Sequence, residues 1–197
     1  LNEFPLDDQG RCGLCRQGLR GFDKVYCYGE YDGALRDLIH LFKYRGMKPI
    51  GVTLAKYLPS ALPLDLQVDV VVPVPLDWRK QWKRGFNQAE VLAAFVARRR
   101  GWKLARILRR KRGSEHQASL SNSERRLNVE RAFRAASRVD GMRVLLVDDV
   151  MTTGSTARAC ALVLKRAGAK SVTLLTLARV DRRLAAPSAK TYIGSSE

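Results

Sequence analysis

The stretch VLLVDDVMTTGST, residues 144–156, sets four aliphatic residues against two adjacent aspartates and then gathers hydroxyls around one glycine. An uninterrupted aliphatic run suits a strand buried on both faces, the habit of parallel sheets. The sequence predicts a strand over 143–147, an exit from the sheet at Asp148 and Asp149, a loop of Thr152, Thr153, Gly154 and Ser155, and a helix from about Thr156. A strand, a loop and a helix in that order form a cradle for phosphate. Unpaired N–H groups of the loop and first helical turn point outward, the helix dipole favours an anion there, and a glycine lets the backbone come close. The hydroxyls of Thr152, Thr153, Ser155 and Thr156 supply further donors. The two carboxylates would repel the same phosphate, so they are expected to accept hydrogen bonds from sugar hydroxyls one ring away. Phosphate at one end and a diol at the other describe a ribose 5-phosphate. Ser or Thr at a helix start and Asp after a strand are each commonplace; the specificity lies in the combination.

Working outward, the chain reads as alternating helices and strands. Leu35, Leu38, Ile39 and Phe42 recur at the helical period, and a second helix is expected over 52–57. VDVVVPVPL, residues 68–76, is a second buried strand, followed by a basic hairpin-like turn and a helix over 87–99. A short strand is expected over 104–108 and another over 132–135, then the strand of the opening stretch, a helix over 156–167 closed by Gly168, and the strand SVTLLTLARV, 171–180. This order defines an α/β fold with a doubly wound parallel sheet, whose ligands bind where strands end at their carboxyl edge.

Charge suggests a second kind of partner. The chain has 197 residues and a formal charge of +17, with 36 Lys and Arg against 19 Asp and Glu, a balance that suits polyanionic ligands. The run ARRRGWKLARILRRKRG, 97–113, carries Arg98, Arg99, Arg100, Lys103, Arg109, Arg110, Lys111 and Arg112 around Trp102, with no carboxylate in it. Trp78 and Trp82 sit beside Arg79, Lys80 and Lys83. Cations interleaved with aromatic rings suit single-stranded nucleic acid, where phosphates supply affinity and bases stack; the alternative is a solvated cationic surface whose tryptophans pack inward. No apolar run reaches the roughly 20 residues of a membrane span, so no membrane insertion and a cytoplasmic location are expected.

Cys12 and Cys15 form a C-x-x-C, and Cys27 follows. Two such knuckles would be a zinc signal; one knuckle and a third cysteine are candidate zinc ligands without a complete tetrahedral set. Cys160, with Ala157, Ala161 and Leu164, lies on a helical stripe and reads as a small buried hydrophobe.

The opening stretch resembles the phosphoribosyl-pyrophosphate (PRPP) loop of type I phosphoribosyltransferases. Together with LIHLFKYRGM, the RGFNQ element at 84–88 and HQASLSNSERRLNVERAFRA, it resembles the ComF family of competence proteins, over about residues 12–180. The resemblance implies a phosphoribosyltransferase-like domain over 31–182, preceded by a short, incomplete zinc-ribbon-like segment over 1–30 and followed by a polar tail over 183–197. It also implies that Asp148 and Asp149 hold the ribose hydroxyls and that residues 152–156 wrap the 5-phosphate. A role in natural transformation, in the uptake and processing of incoming single-stranded DNA with competence or recombination proteins as partners, follows from the family. The other reading is an active phosphoribosyltransferase of nucleotide salvage or metabolism. In either case Mg²⁺ would accompany PRPP by bridging phosphate oxygens. Pro73, Val74 and Pro75 would face the pyrophosphate, with Arg79, Lys83 and Arg84 as cationic helpers. The polar stretch 112–128 would be a lid, with His116, Gln117 and Ser121 facing the ligand.

Overall fold

The computed structural model describes residues 21–44, 47–111 and 132–180. Five strands, β1 (Lys24–Glu30), β2 (Val70–Pro73), β3 (Lys103–Leu104), β6 (Arg143–Met151) and β7 (Ser171–Arg179), form a central sheet. Their order across it is β1-β7-β6-β2-β3, with every neighbouring pair parallel. A separate antiparallel pair, β4 (Leu108–Arg110) and β5 (Phe133–Ala135), stands beside it. The helices are α1 (Gly33–Tyr44), α2 (Lys48–Ala55), α3 (Trp78–Arg84), α4 (Gln88–Arg100) and α5 (Ser155–Arg166), with a 3₁₀ turn at Leu58–Ala61.

Strand alternation divides the core into two layers. Val70, Val72, Val144, Leu146, Val172 and Leu174 face one side, where they pack with Ala157, Cys160, Ala161 and Leu164 of α5 and with Leu108 and Phe133 of the small sheet. Val71, Leu145, Val147, Leu175 and Leu177 face the other side, against Ile39 and Phe42 of α1, Leu54 of α2 and Leu92 and Val96 of α4. Because β2, β6 and β7 are covered on both faces, they read as continuous apolar runs and not as alternating ones. The doubly wound α/β sheet expected from the sequence is the fold observed. On the second side α1 and α2 approach closely: a Cβ at Gly51 would lie 2.1 Å from a ring carbon of Phe42, so only glycine fits there.

Several elements differ from the sequence expectation. Residues 24–30, set apart from the sheet as part of the Cys-containing segment, form its edge strand β1, in register with Thr173–Arg179 of β7. The second helix begins at Lys48, not 52, with Pro49 in its first turn. The expected strand over 104–108 divides: Ala105 still donates to the Val71 carbonyl at 2.9 Å, and the chain then turns away to pair Leu108–Arg110 with β5. Residues 78–84, expected as a hairpin-like turn, are helix α3, started by the Asp77 side chain, which accepts from the Arg79 amide at 3.1 Å, and ended by Gly85 at φ 76°. Finally, β6 does not leave the sheet at Asp148. β7 runs beside it through the pairs Asp148–Thr176, Val150–Ala178 and Met151–Arg179, which keep both aspartates in the ladder.

Candidate functional site

β2 ends beside β6, with Pro73 opposite Val147, and the two aspartates follow directly on β6. There the Asp149 amide donates to Asp148 Oδ1 at 2.9 Å, tying the two carboxyl-bearing residues together. Lys43, in the last turn of α1, brings Nζ to 3.2 Å from Asp149 Oδ2; both side chains are largely withdrawn from solvent, at 16% and 14% exposure. Lys43 thus ion-pairs with Asp149, and its charge also acts on Asp148. Burial, and next the Asp149 charge, push the Asp148 carboxyl up to about 7, against the smaller opposing effects of the Asp149 amide and Lys43. A sugar diol could donate to such a carboxylate pair without adding negative charge.

The loop that follows turns at Gly154, at φ 72°, a conformation that L side chains rarely adopt. Gly154 is the residue before the first turn of α5 and makes no capping hydrogen bond of its own. The first helical bond runs from the Arg158 amide to the Gly154 carbonyl at 2.8 Å. Thr153 Oγ1 and Ser155 Oγ lie 2.8 Å apart, and the Ser155 amide reaches Thr153 Oγ1 at 3.3 Å. Thr152 and Thr153 are exposed, and Ser155 and Thr156 are half-buried. Hydroxyls on a glycine turn thus open a helix directly beyond a carboxylate pair.

The second loop follows β2. Val74 is buried and built in: its amide donates to the Val147 carbonyl at 2.9 Å, and its carbonyl accepts from Asn87 Nδ2 at 3.0 Å. Pro73 and Pro75 line a cleft of about 470 Å³, together with Asp77, Trp78, Arg109, Arg110 and Lys111. Residues 148–156 do not line it. Of the cations expected beside a pyrophosphate, Arg84 is directed elsewhere: it stacks 5.0 Å above the Tyr44 ring and donates to Gln88 at 3.1 Å. Arg79 lies 5.4 Å above the Trp78 ring, and Lys83 is exposed.

The basic run 97–113 is not one continuous charged track. Arg100 donates to the carbonyls of Pro59 and Leu62, both at 3.1 Å, and lies over Trp102, which packs against the core. Arg98 lies over Phe95, Arg106 pairs with Glu90, and Arg110 sits over Phe133 with Nε 3.6 Å from Asp77. Arg99 and Lys103 are exposed. Carboxylates and carbonyls distant in sequence have taken up part of the charge that the run carries when read alone. Arg112, His116, Gln117, Ser121 and the lid stretch lie outside the described residues, as do Cys12, Cys15 and the tail over 183–197.

Cys27 is on β1, where its thiol donates to the Gly29 carbonyl at 3.0 Å and burial raises its pKa. Among the described residues no three His, Cys, Asp or Glu side chains come together as a metal site. Cys160 is fully buried in α5, with its thiol pushed well up by burial and then by Asp148. Two residues that sequence reasoning missed matter here. Lys43 gives no signal of its own, being one polar residue among several on an amphipathic helix. Asp77 is recognisable only as a candidate helix cap, matched by Gly85 at the far end of α3.

The phosphoribosyl transferase domain family matches residues 87–197, and with the parallel α/β sheet it defines a chain of the phosphoribosyltransferase class. The chain is 35% identical to competence protein F of Haemophilus influenzae over 182 residues, covering 85% of this chain and 78% of that protein. It is 34% identical to the DNA utilization protein YhgH of Salmonella typhi over 179 residues, covering 85% and 77%. Competence protein ComFC of Bacillus subtilis is 30% identical over 170 residues, covering 82% and 65%. The chain belongs to this competence protein F family, within the phosphoribosyl transferase domain family. Among solved structures, the allosteric regulatory enzyme of purine biosynthesis aligns at 25% identity with a TM-score of 0.44, over 68% of this chain and 25% of that one. No helix of the described residues is long and apolar enough to cross a membrane.

Proposed function

We propose that this protein serves natural transformation by handling incoming single-stranded DNA in the cytoplasm, and that it carries a ligand site for PRPP or a related ribose phosphate. The observation that carries the ligand reading is the carboxylate pair of β6, ion-paired to Lys43 through Asp149 and leading into the Gly154 turn. The division of labour follows from charge. Asp148 and Asp149 accept from the ribose hydroxyls, while the amides and hydroxyls of residues 152–156 donate to the 5-phosphate. Mg²⁺ arriving with PRPP suits this arrangement, because the raised Asp148 carboxyl marks a place where added positive charge is favourable. The cation would neutralise phosphate oxygens. The names of the relatives support the DNA role.

Titration calorimetry tests the ligand reading. PRPP with Mg²⁺ is expected to bind, and Asp148→Asn with Asp149→Asn to weaken PRPP by about tenfold or more, on the order of 1.4 kcal/mol, while inorganic phosphate affinity changes much less. Equal losses for both ligands would overturn the assignment of roles, and no PRPP binding at millimolar concentration would overturn the site. Release of pyrophosphate on adding nucleobases would favour the salvage enzyme instead.

A further inference from the structure

Helix α3 is anomalous. None of its seven residues, WRKQWKR, is buried, yet it holds two tryptophans, with Trp78 55% and Trp82 87% exposed. Indoles carry the largest apolar area of any side chain, so leaving two of them in water is unfavourable unless something covers them. At a spacing of four residues they lie on one face of the helix. Lys80 and Lys83 are exposed beside them, and Trp78 also lines the cleft to which Arg109 and Lys111 contribute. Residues 109 and 111 are two apart on an extended chain, about 6.6 Å by strand geometry, a spacing that lets successive cations follow a backbone of regular charge. The third tryptophan behaves differently, since Trp102 is packed against the core beneath Arg100.

We infer that α3 and the adjoining cleft form a single-stranded nucleic-acid site, with Trp78 and Trp82 as stacking platforms and Lys80, Lys83, Arg109 and Lys111 as phosphate contacts. The inference rests on the DNA role proposed above and narrows its location: part of the charge run around Trp102 is taken up by internal partners, whereas α3 faces outward. Two other occupants fit the chemistry less well. A bilayer surface rewards buried apolar area, and α3 has no aliphatic residue to insert. Protein interfaces are depleted in lysine at their centres, and here lysines border both indoles. Stacking on an indole tolerates any base, so the site would bind without strong sequence preference.

The test uses the full chain and a labelled oligothymidine of about 20 nucleotides, long enough to exceed the site size of a single module, followed by fluorescence anisotropy. Wild-type protein is expected to bind at low salt and to lose affinity with a slope of log affinity against log salt of roughly −3 to −4, about −0.7 for each of some four to six phosphates. Trp82→Ala is expected to weaken binding about 5- to 150-fold, the equivalent of ~1–3 kcal/mol of stacking per base, while PRPP binding stays unchanged. Lys80→Glu is expected to flatten the salt slope. If wild-type protein binds the oligonucleotide but Trp82→Ala and Trp78→Ala bind equally well, the site assignment is overturned and the DNA role stands. If wild-type protein does not bind it, the DNA role itself falls. If Trp82→Ala instead abolishes binding to phosphatidylglycerol vesicles and spares the oligonucleotide, α3 is a membrane contact and the inference is wrong.

Discussion

At the scale of single residues, Asp148 carries the most consequence. Its carboxyl stands at about 7 in the fold against an ordinary 3.8, so between those values the folded state holds a proton that the unfolded chain has released. The stability that this proton contributes is complete below pH 3.8 and is lost as pH rises through about 7. Asp148→Asn removes the titration, so its thermal stability should change less than that of the wild type as pH rises from 3.8 to about 7, and above that range its melting temperature should be the higher of the two. Scanning calorimetry across that range checks it; a variant that melts lower than wild type on the alkaline side would show that the carboxylate is compensated. A residue that costs stability and leads into the Gly154 turn has the marks of a functional position. The aspartates, the hydroxyls and Gly154 are all legible in sequence because they are contiguous. Lys43 is not, because it reaches Asp149 from a helix far back in the chain.

At the scale of elements, the buried strands announce themselves and the exposed helix does not. β2, β6 and β7 are apolar runs whose burial on both faces leaves little choice of structure. WRKQWKR buries none of its residues and offers only one apolar pair at helical spacing, Trp78 and Trp82, so its clearest helical signals are its ends, Asp77 and Gly85. The helix accordingly depends on its caps. Asp77→Ala removes the side-chain acceptor for the Arg79 amide, a loss of about 0.5–2 kcal/mol, together with the partner of Arg110. Hydrogen exchange should become faster across residues 78–84 and stay unchanged in β6 and β7; uniform acceleration would mean that α3 is integral to the core. The split of the expected strand over 104–108 has a similar origin, because Leu108 finds its partner in Ala135, which no local pattern reveals.

At the scale of the whole molecule, the charge of +17 is informative as a sum and incomplete as a map. Arg143 is gripped by Asp69 through its backbone amide at 2.7 Å and its guanidinium at 2.6 Å, and it holds the Asp69 carboxyl down to about 2. Arg106 and Arg138 are similarly engaged, so the cations that remain for a polyanion are fewer than the composition implies. Topology also lies beyond the reach of local patterns: KVYCYGE mixes charged, aromatic and small residues, and its place beside β7 is set by pairing across the chain. That pairing has a bearing on solubility. β7 is an almost wholly buried apolar strand with VTLLTLA at its centre, β6 along one side and β1 along the other. A chain starting at residue 31 would leave one row of β7 amides and carbonyls unpaired on a segment of high β-propensity and no charge, the template on which cross-β fibrils grow. Such a truncation should self-associate and raise thioflavin fluorescence where the full chain stays dispersed, which makes β1 a guard against aggregation as well as a member of the sheet.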